Sequence, residues 1–188
     1  MWVIGLSGSS ESGKSSVGRW LDTQGVPLIK IVKHVRALWE TERNGNGTIA
    51  DYHLAIETDA SRADRIVDSI LAEAGDCEVI EIQSMVSPMF ARRLWHRLGN
   101  RFLSLYLEVP ESTRIAREAT KTHQPLEIVQ QSVRQKDSNK RDWGLDELKR
   151  LSVVIDNSGS FQQCSGQILN ILAVLGIPLG PKGATGDN

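Results

Sequence analysis

The stretch Gly8-Ser9-Ser10-Glu11-Ser12-Gly13-Lys14-Ser15 carries the most specific chemistry in this 188-residue chain. Two glycines with four residues between them, then a lysine and a hydroxyl, fit the pattern that cradles nucleotide phosphates. Inward-turned backbone N–H groups form a concave anion site. A helix beginning just behind them adds its positive dipole end. Gly8 and Gly13 permit backbone conformations and a close ligand approach that a Cβ would obstruct. Lys14 can reach the β- and γ-phosphates, and the Ser15 hydroxyl can ligate Mg²⁺. Residues Gly8 through Ser16 are therefore the candidate nucleotide-binding residues: Gly8, Ser9, Ser10, Glu11, Ser12, Gly13, Lys14, Ser15 and Ser16.

Moving a phosphoryl group demands more than this loop. It is mainly positioning plus neutralisation of phosphate charge. Glu81, read as ending the apolar strand Val79-Ile80, is the candidate carboxylate beside Ser15 at Mg²⁺. Cations concentrate between residues 114 and 141: Arg114, Arg117, Lys121, Arg134, Lys136, Lys140 and Arg141. A mobile flap that closes over ATP and excludes water needs such charge. Arg117 and Arg141 are the candidates for the γ-phosphate. Arg36, flanked by Lys33 and His34, offers a guanidinium fork for an acceptor phosphate. His34 and Arg62 complete the candidate acceptor residues. All of these residue types also occur on solvated helix surfaces.

These groups must be held by regular elements. Trp2-Val3-Ile4-Gly5-Leu6 before the loop reads as a strand, and Ser15 to Leu21 after it as a helix. Further strands are predicted at Leu28–Val32, Cys77–Ile82, Phe102–Val109 and Leu151–Ile155. Helical periodicity lies between them, including one long helix over 49–74 and a last helix over Phe161–Leu175. The stretch from Lys121 to Lys149 reads as polar and interrupted. Asn44-Gly45-Asn46-Gly47 reads as a loop. Strands alternating with helices argue for a parallel sheet covered on both faces, with ligands at the carboxyl ends of its strands. The expected organisation is a single domain over 1–176, with an acceptor-binding helical region at about 33–74, a lid at about 117–145 and a flexible tail over 177–188.

The bulk properties narrow the classes. A net charge of −1 gives no reason to expect nucleic acid or an anionic membrane surface as partner. No apolar run approaches the roughly 20 residues that span a bilayer. The first apolar run has no basic lead-in, so no signal peptide is expected. Cys77 and Cys164 have neither metal-ligand nor redox-pair spacing, which fits reduced thiols in a cytoplasmic protein. Asn139-Lys140-Arg141-Asp142 matches a guanine-reading pattern, but it follows no apolar strand, and no D-x-x-G switch segment is present.

Three stretches carry a resemblance. They are Ile4–Gly8 with Gly13–Val17, Val109-Pro110-Glu111-Ser112-Thr113-Arg114-Ile115-Ala116-Arg117, and Val153-Val154-Ile155-Asp156-Asn157-Ser158-Gly159-Ser160. On these the chain resembles the P-loop nucleotide kinases, in particular dephospho-coenzyme A kinases and adenylate-kinase-like proteins. The resemblance implies a three-layer P-loop fold with five parallel strands in the order 2-3-1-4-5 and helices on both faces. It implies ATP with Mg²⁺ as donor and a phosphate- or hydroxyl-bearing small acceptor, a nucleotide or nucleoside first. It also places Asn157, in the loop after the fifth strand, against the adenine ring. Ile82-Gln83-Ser84 departs from the Gly and Arg that such kinases often carry, and Ile31-Val32-Lys33-His34 replaces the aspartate pair of dephospho-coenzyme A kinases. The acceptor therefore stays open. So do two alternatives: a nucleotide-binding regulatory protein without the chemistry, and a kinase of nucleic-acid ends. Nothing in the sequence speaks to oligomeric state.

Overall fold

The structure, a computed structural model, describes residues 1–43 and 48–180. The predicted loop Asn44–Gly47 lies outside the described residues, as does 181–188 of the predicted tail.

β1 (Trp2–Gly8) is the central strand, paired in parallel with β3 (Val79–Met85) on one side and β4 (Phe102–Glu108) on the other. β2 (Leu28–Lys30) and β5 (Val153–Asp156) are the edges, which makes the order 2-3-1-4-5. Side chains alternate across a strand. Val3 thus joins a core under α2 (Ile31–Arg43), α4 (Ala60–Ala74) and α5 (Pro88–Leu98). Ile4 and Leu6 join another, under α1 (Lys14–Thr23) and α9 (Phe161–Val174). Both faces of β1 are buried, which is why the strand reads as an apolar run rather than an alternation.

Several boundaries differ from the sequence reading. β2 stops at Lys30 because α2 already begins at Ile31. The predicted single helix over 49–74 is two, α3 (Ile49–Thr58) and α4. Asp59 separates them in an extended conformation, and its carboxylate accepts from the Ser61 N–H at 2.9 Å as the cap of α4. β3 runs three residues beyond Ile82, to Met85.

The polar stretch after β4 is also more regular than predicted. α6 (Glu111–Thr122) and α7 (Leu126–Asp142) pack on a small core of Ile115, Val129 and Val133, and α8 (Leu145–Arg150) follows. Asn139-Lys140-Arg141-Asp142 is the last turn of α7. The start of the predicted flexible tail is part of the fold. Ile177 is buried against α9 and the sheet, and the Gly180 N–H donates to the Gln24 carbonyl at 3.0 Å. Its apolar side chains, Ile177 and Leu179, have core surface to cover, so this segment packs.

Candidate functional site

The phosphate loop joins the carboxyl end of β1 to α1. Gly13 takes φ 93° at the N-cap of α1, and a Cβ there would collide with the Asn157 side-chain amide. Only glycine meets both conditions without strain. Asn157 donates from Nδ2 to the Ser12 carbonyl at 2.8 Å, fastening the loop after β5 to the phosphate loop. Arg117 on α6 braces that same loop, donating to the carbonyls of Asn157 (2.8 Å), Ser158 (2.8 Å) and Gly159 (3.0 Å).

Lys14 is buried and folded into the loop. Its Nζ donates to the carbonyls of Gly8 (2.9 Å) and Ser9 (2.6 Å) and to Ser12 Oγ (3.2 Å). Burial, then the neighbouring Lys140, pull its pKa down to about 7, against Glu11 and Asp137. Burial likewise lowers the pKa of Lys140. Two lysine side chains drawn together at the loop favour an anion between them.

Two clefts open on the loop. One, of about 390 Å³, is lined by Gly13 to Ser16, Arg19, Arg117, Asn157 and Phe161, among others. The other, of about 340 Å³, lies under α7 and is lined by Ser10, Lys136, Asn139, Lys140 and Trp143. Glu11, Lys14 and Ser15 line both. Behind Trp143, the His53 ring of α3 stacks at 4.6 Å between centroids, and burial lowers the His53 pKa.

The remaining predicted residues fall elsewhere. Glu81 does not end its strand. It lies opposite Ile4, mid-sheet, fully buried beneath Gly18 of α1, and neither carboxylate oxygen has a hydrogen-bond partner among the described residues. Burial, with Asp22 adding to it, raises its pKa to about 8. A neutral acid far down the strand is not a magnesium ligand at the loop, and the misplacement follows from reading β3 three residues short. The loop does present the Ser15 hydroxyl at the shared edge of both clefts. Among the described residues no three His, Cys, Asp or Glu side chains form a metal cage.

Arg117 is engaged with the loop after β5 rather than reaching over Lys14. Arg141 is exposed and lines neither cleft; Lys140, one residue earlier and 100° around the helix, lines the second. On the acceptor side, His34 turns into the protein. Its Nδ1 lies 2.8 Å from Ser69 Oγ and its Nε2 3.3 Å from Glu73, both on α4, and burial lowers its pKa. Arg62 is taken up by Glu42, at 2.9 Å, and lies over the Tyr52 ring. Tyr52 and Arg65 converge on the same carboxylate. His34 and Arg62 thus join helices α2, α3 and α4 and are not brought to the loop. Arg36 is exposed and lines neither cleft.

The sequence reading missed Asp137 altogether and noted Arg114 only as a lid cation. Asp137 accepts from the Ser10 N–H at 2.7 Å and pairs with Arg114 at 2.7 Å, both side chains buried. A signal for it exists. Val129, Val133 and Asp137 recur every four residues, so the apolar face of α7 carries Asp137 inward.

No protein-family model matches the chain. A dephospho-CoA kinase from Synechococcus sp. (strain CC9605) is 30% identical over 109 residues, 57% of this chain and 50% of that protein. The match thus spans half the length of that relative. A gluconokinase from Sinorhizobium meliloti 1021 superposes with a TM-score of 0.54 at 18% identity, covering 93% of each chain. A shikimate kinase from Bacteroides thetaiotaomicron superposes with a TM-score of 0.51 at 13% identity, covering 94% of this chain and 99% of that one. At such identities the structural likeness is one of fold. The 2-3-1-4-5 parallel sheet and the loop after its central strand define the P-loop fold. Within that fold the chain is similar to the P-loop kinases. Among the described residues no helix is long and apolar enough to cross a membrane.

Proposed function

We propose that this protein is an ATP-dependent phosphotransferase that moves the γ-phosphate to a small acceptor, a nucleotide or nucleoside first. The observation that carries the reading is the pair of clefts meeting at Glu11, Lys14 and Ser15. A kinase needs two sites sharing one phosphate-binding edge, so that the acceptor oxygen approaches in line with the bond that breaks. The cleft between Arg117, Asn157 and the start of α1 is the donor site. The cleft under α7 is the acceptor site. Trp143 offers it an aromatic face and Lys136 and Asn139 offer polar groups, which suits a base or sugar carrying an anionic group.

In the transfer, an acceptor oxygen, of a phosphate in a nucleotide or of a hydroxyl in a nucleoside, forms a bond to the γ-phosphorus. The bond from that phosphorus to the β,γ-bridging oxygen breaks, its electron pair stays on ADP, and where the acceptor is a hydroxyl its proton leaves to solvent. The loop amides hold the β-phosphate. Lys14 leaves its carbonyl partners for the phosphate oxygens and neutralises charge between donor and acceptor. Magnesium carried by the nucleotide would take the Ser15 hydroxyl as a ligand and offset charge on the β- and γ-phosphates.

A coupled ADP-release screen against nucleoside monophosphates, nucleosides and dephospho-coenzyme A tests the assignment. Lys14→Ala is expected to lower turnover by about 10²-fold or more. Turnover equal to wild type in that variant would refute it.

A further inference from the structure

One residue of the phosphate loop, Ser10, is gripped through both its N–H and its carbonyl by one buried ion pair. The Ser10 N–H donates to Asp137 Oδ1 at 2.7 Å, and the Ser10 carbonyl accepts from an Arg114 Nη at 2.7 Å. That same nitrogen donates to Asp137 Oδ2 at 2.7 Å, and Arg114 Nε donates to the Val109 carbonyl at the exit of β4, at 3.2 Å. Arg114 and Asp137 are 5% and 4% exposed, so this pair is desolvated and electroneutral. Apolar residues of similar volume usually serve stability as well or better at such a site. What the pair supplies instead is geometry. It locks the two peptide groups that flank Ser10 and ties them to α7. Lys140 stands three residues beyond Asp137 on that helix, one turn along, and lines the second cleft together with Lys14.

We propose that Arg114–Asp137 is a positioning clamp: it fixes α7 to the phosphate loop and thereby holds Lys140 beside Lys14 as a second cation for the terminal phosphate of a nucleoside triphosphate. The inference rests on the phosphate loop being the donor site. It assigns to Lys140 the task that sequence alone gave to Arg141, and to Asp137 a task that acts only through Lys140.

Calorimetric titration with ADP and with the non-hydrolysable imido analogue of ATP tests this without any acceptor. Lys140→Ala is expected to weaken the triphosphate about tenfold, the worth of one charge-assisted hydrogen bond, and ADP by less than about twofold. Lys140→Arg should recover most of that discrimination. Asp137→Asn should reproduce the selective loss, and combining it with Lys140→Ala should add nothing. Should Asp137→Asn fold poorly, the apolar pair Arg114→Met with Asp137→Leu removes the clamp without leaving a buried charge, and the same selective loss is expected. Losses that multiply in the combined variant would overturn the proposal. So would equal weakening of ADP and triphosphate when the clamp is removed, the mark of a merely structural pair. Wild-type protein that binds neither nucleotide would refute the donor site and the clamp together. Nucleotide binding with discrimination unchanged in Lys140→Ala would refute the clamp alone.

Discussion

Glu81 makes folding stability depend on pH in an unusual direction. Its carboxyl is fully buried mid-sheet with no hydrogen-bond partner among the described residues, and burial raises its pKa from the ordinary 4.5 to about 8. Between those values the folded protein holds a proton that the unfolded chain releases. The stability associated with this group is therefore complete below about pH 4.5, falls as pH rises, and levels off above about pH 8. At about 1.36 kcal/mol for each decade, the full loss is on the order of 5 kcal/mol. Glu81→Gln keeps the shape and cannot ionise. Urea unfolding of both proteins at pH 5, 6.5 and 8 should show the gap between them widening in favour of the variant by about 2–4 kcal/mol toward pH 8. Asp22 on α1 is the charged neighbour that adds to the shift, so Asp22→Asn should shrink the effect without removing it. Parallel pH curves for wild type and Glu81→Gln would refute the reasoning. A stronger magnesium requirement for turnover in that variant would return Glu81 to the metal and refute its placement here.

Three further outcomes follow from packing. Gly18→Ala should destabilise the protein by about 1–3 kcal/mol in urea unfolding, although alanine is the better helix former; its Cβ would stand 2.8 Å from Glu81 Oε2 and 2.9 Å from Gln83 Nε2. Ile177→Ala should cost about 2–4 kcal/mol by the same measurement, because the residue is 5% exposed and closes the core under α9; a cost near zero would make 177–180 a dispensable tail. Arg62→Ala should cost about 1 kcal/mol of stability, the worth of a partly buried ion pair and its packing, and leave the acceptor KM within about twofold of wild type, the spread a residue outside the substrate contacts should show; a large rise in KM would return Arg62 to the acceptor site.

The phosphate loop, the alternation of strands and helices, and hence the parallel sheet, were legible in the sequence because each rests on local physics. A glycine at φ 93° declares itself by type, and a strand buried on both faces by its apolar run. Strand order entered through resemblance and agrees with the structure. Chain direction across the sheet was harder. Misjudging the end of β3 by three residues moved Glu81 from mid-sheet to the loop in the reading. His34 and Arg62 looked available because their types suit phosphate binding, but their partners, Ser69, Glu73 and Glu42, are 20 to 39 residues away in the chain. The same holds for the clamp: Ser10, Arg114 and Asp137 meet across 104 and 127 residues. What kind of ligand the loop holds follows from a short run of residues whose backbone and charges act on neighbours in sequence. Which cation stands beside Lys14, and which carboxylate is buried rather than exposed to a metal, was decided only when packing brought distant helices onto one sheet end, because contact and desolvation belong to the folded surface and not to any single segment.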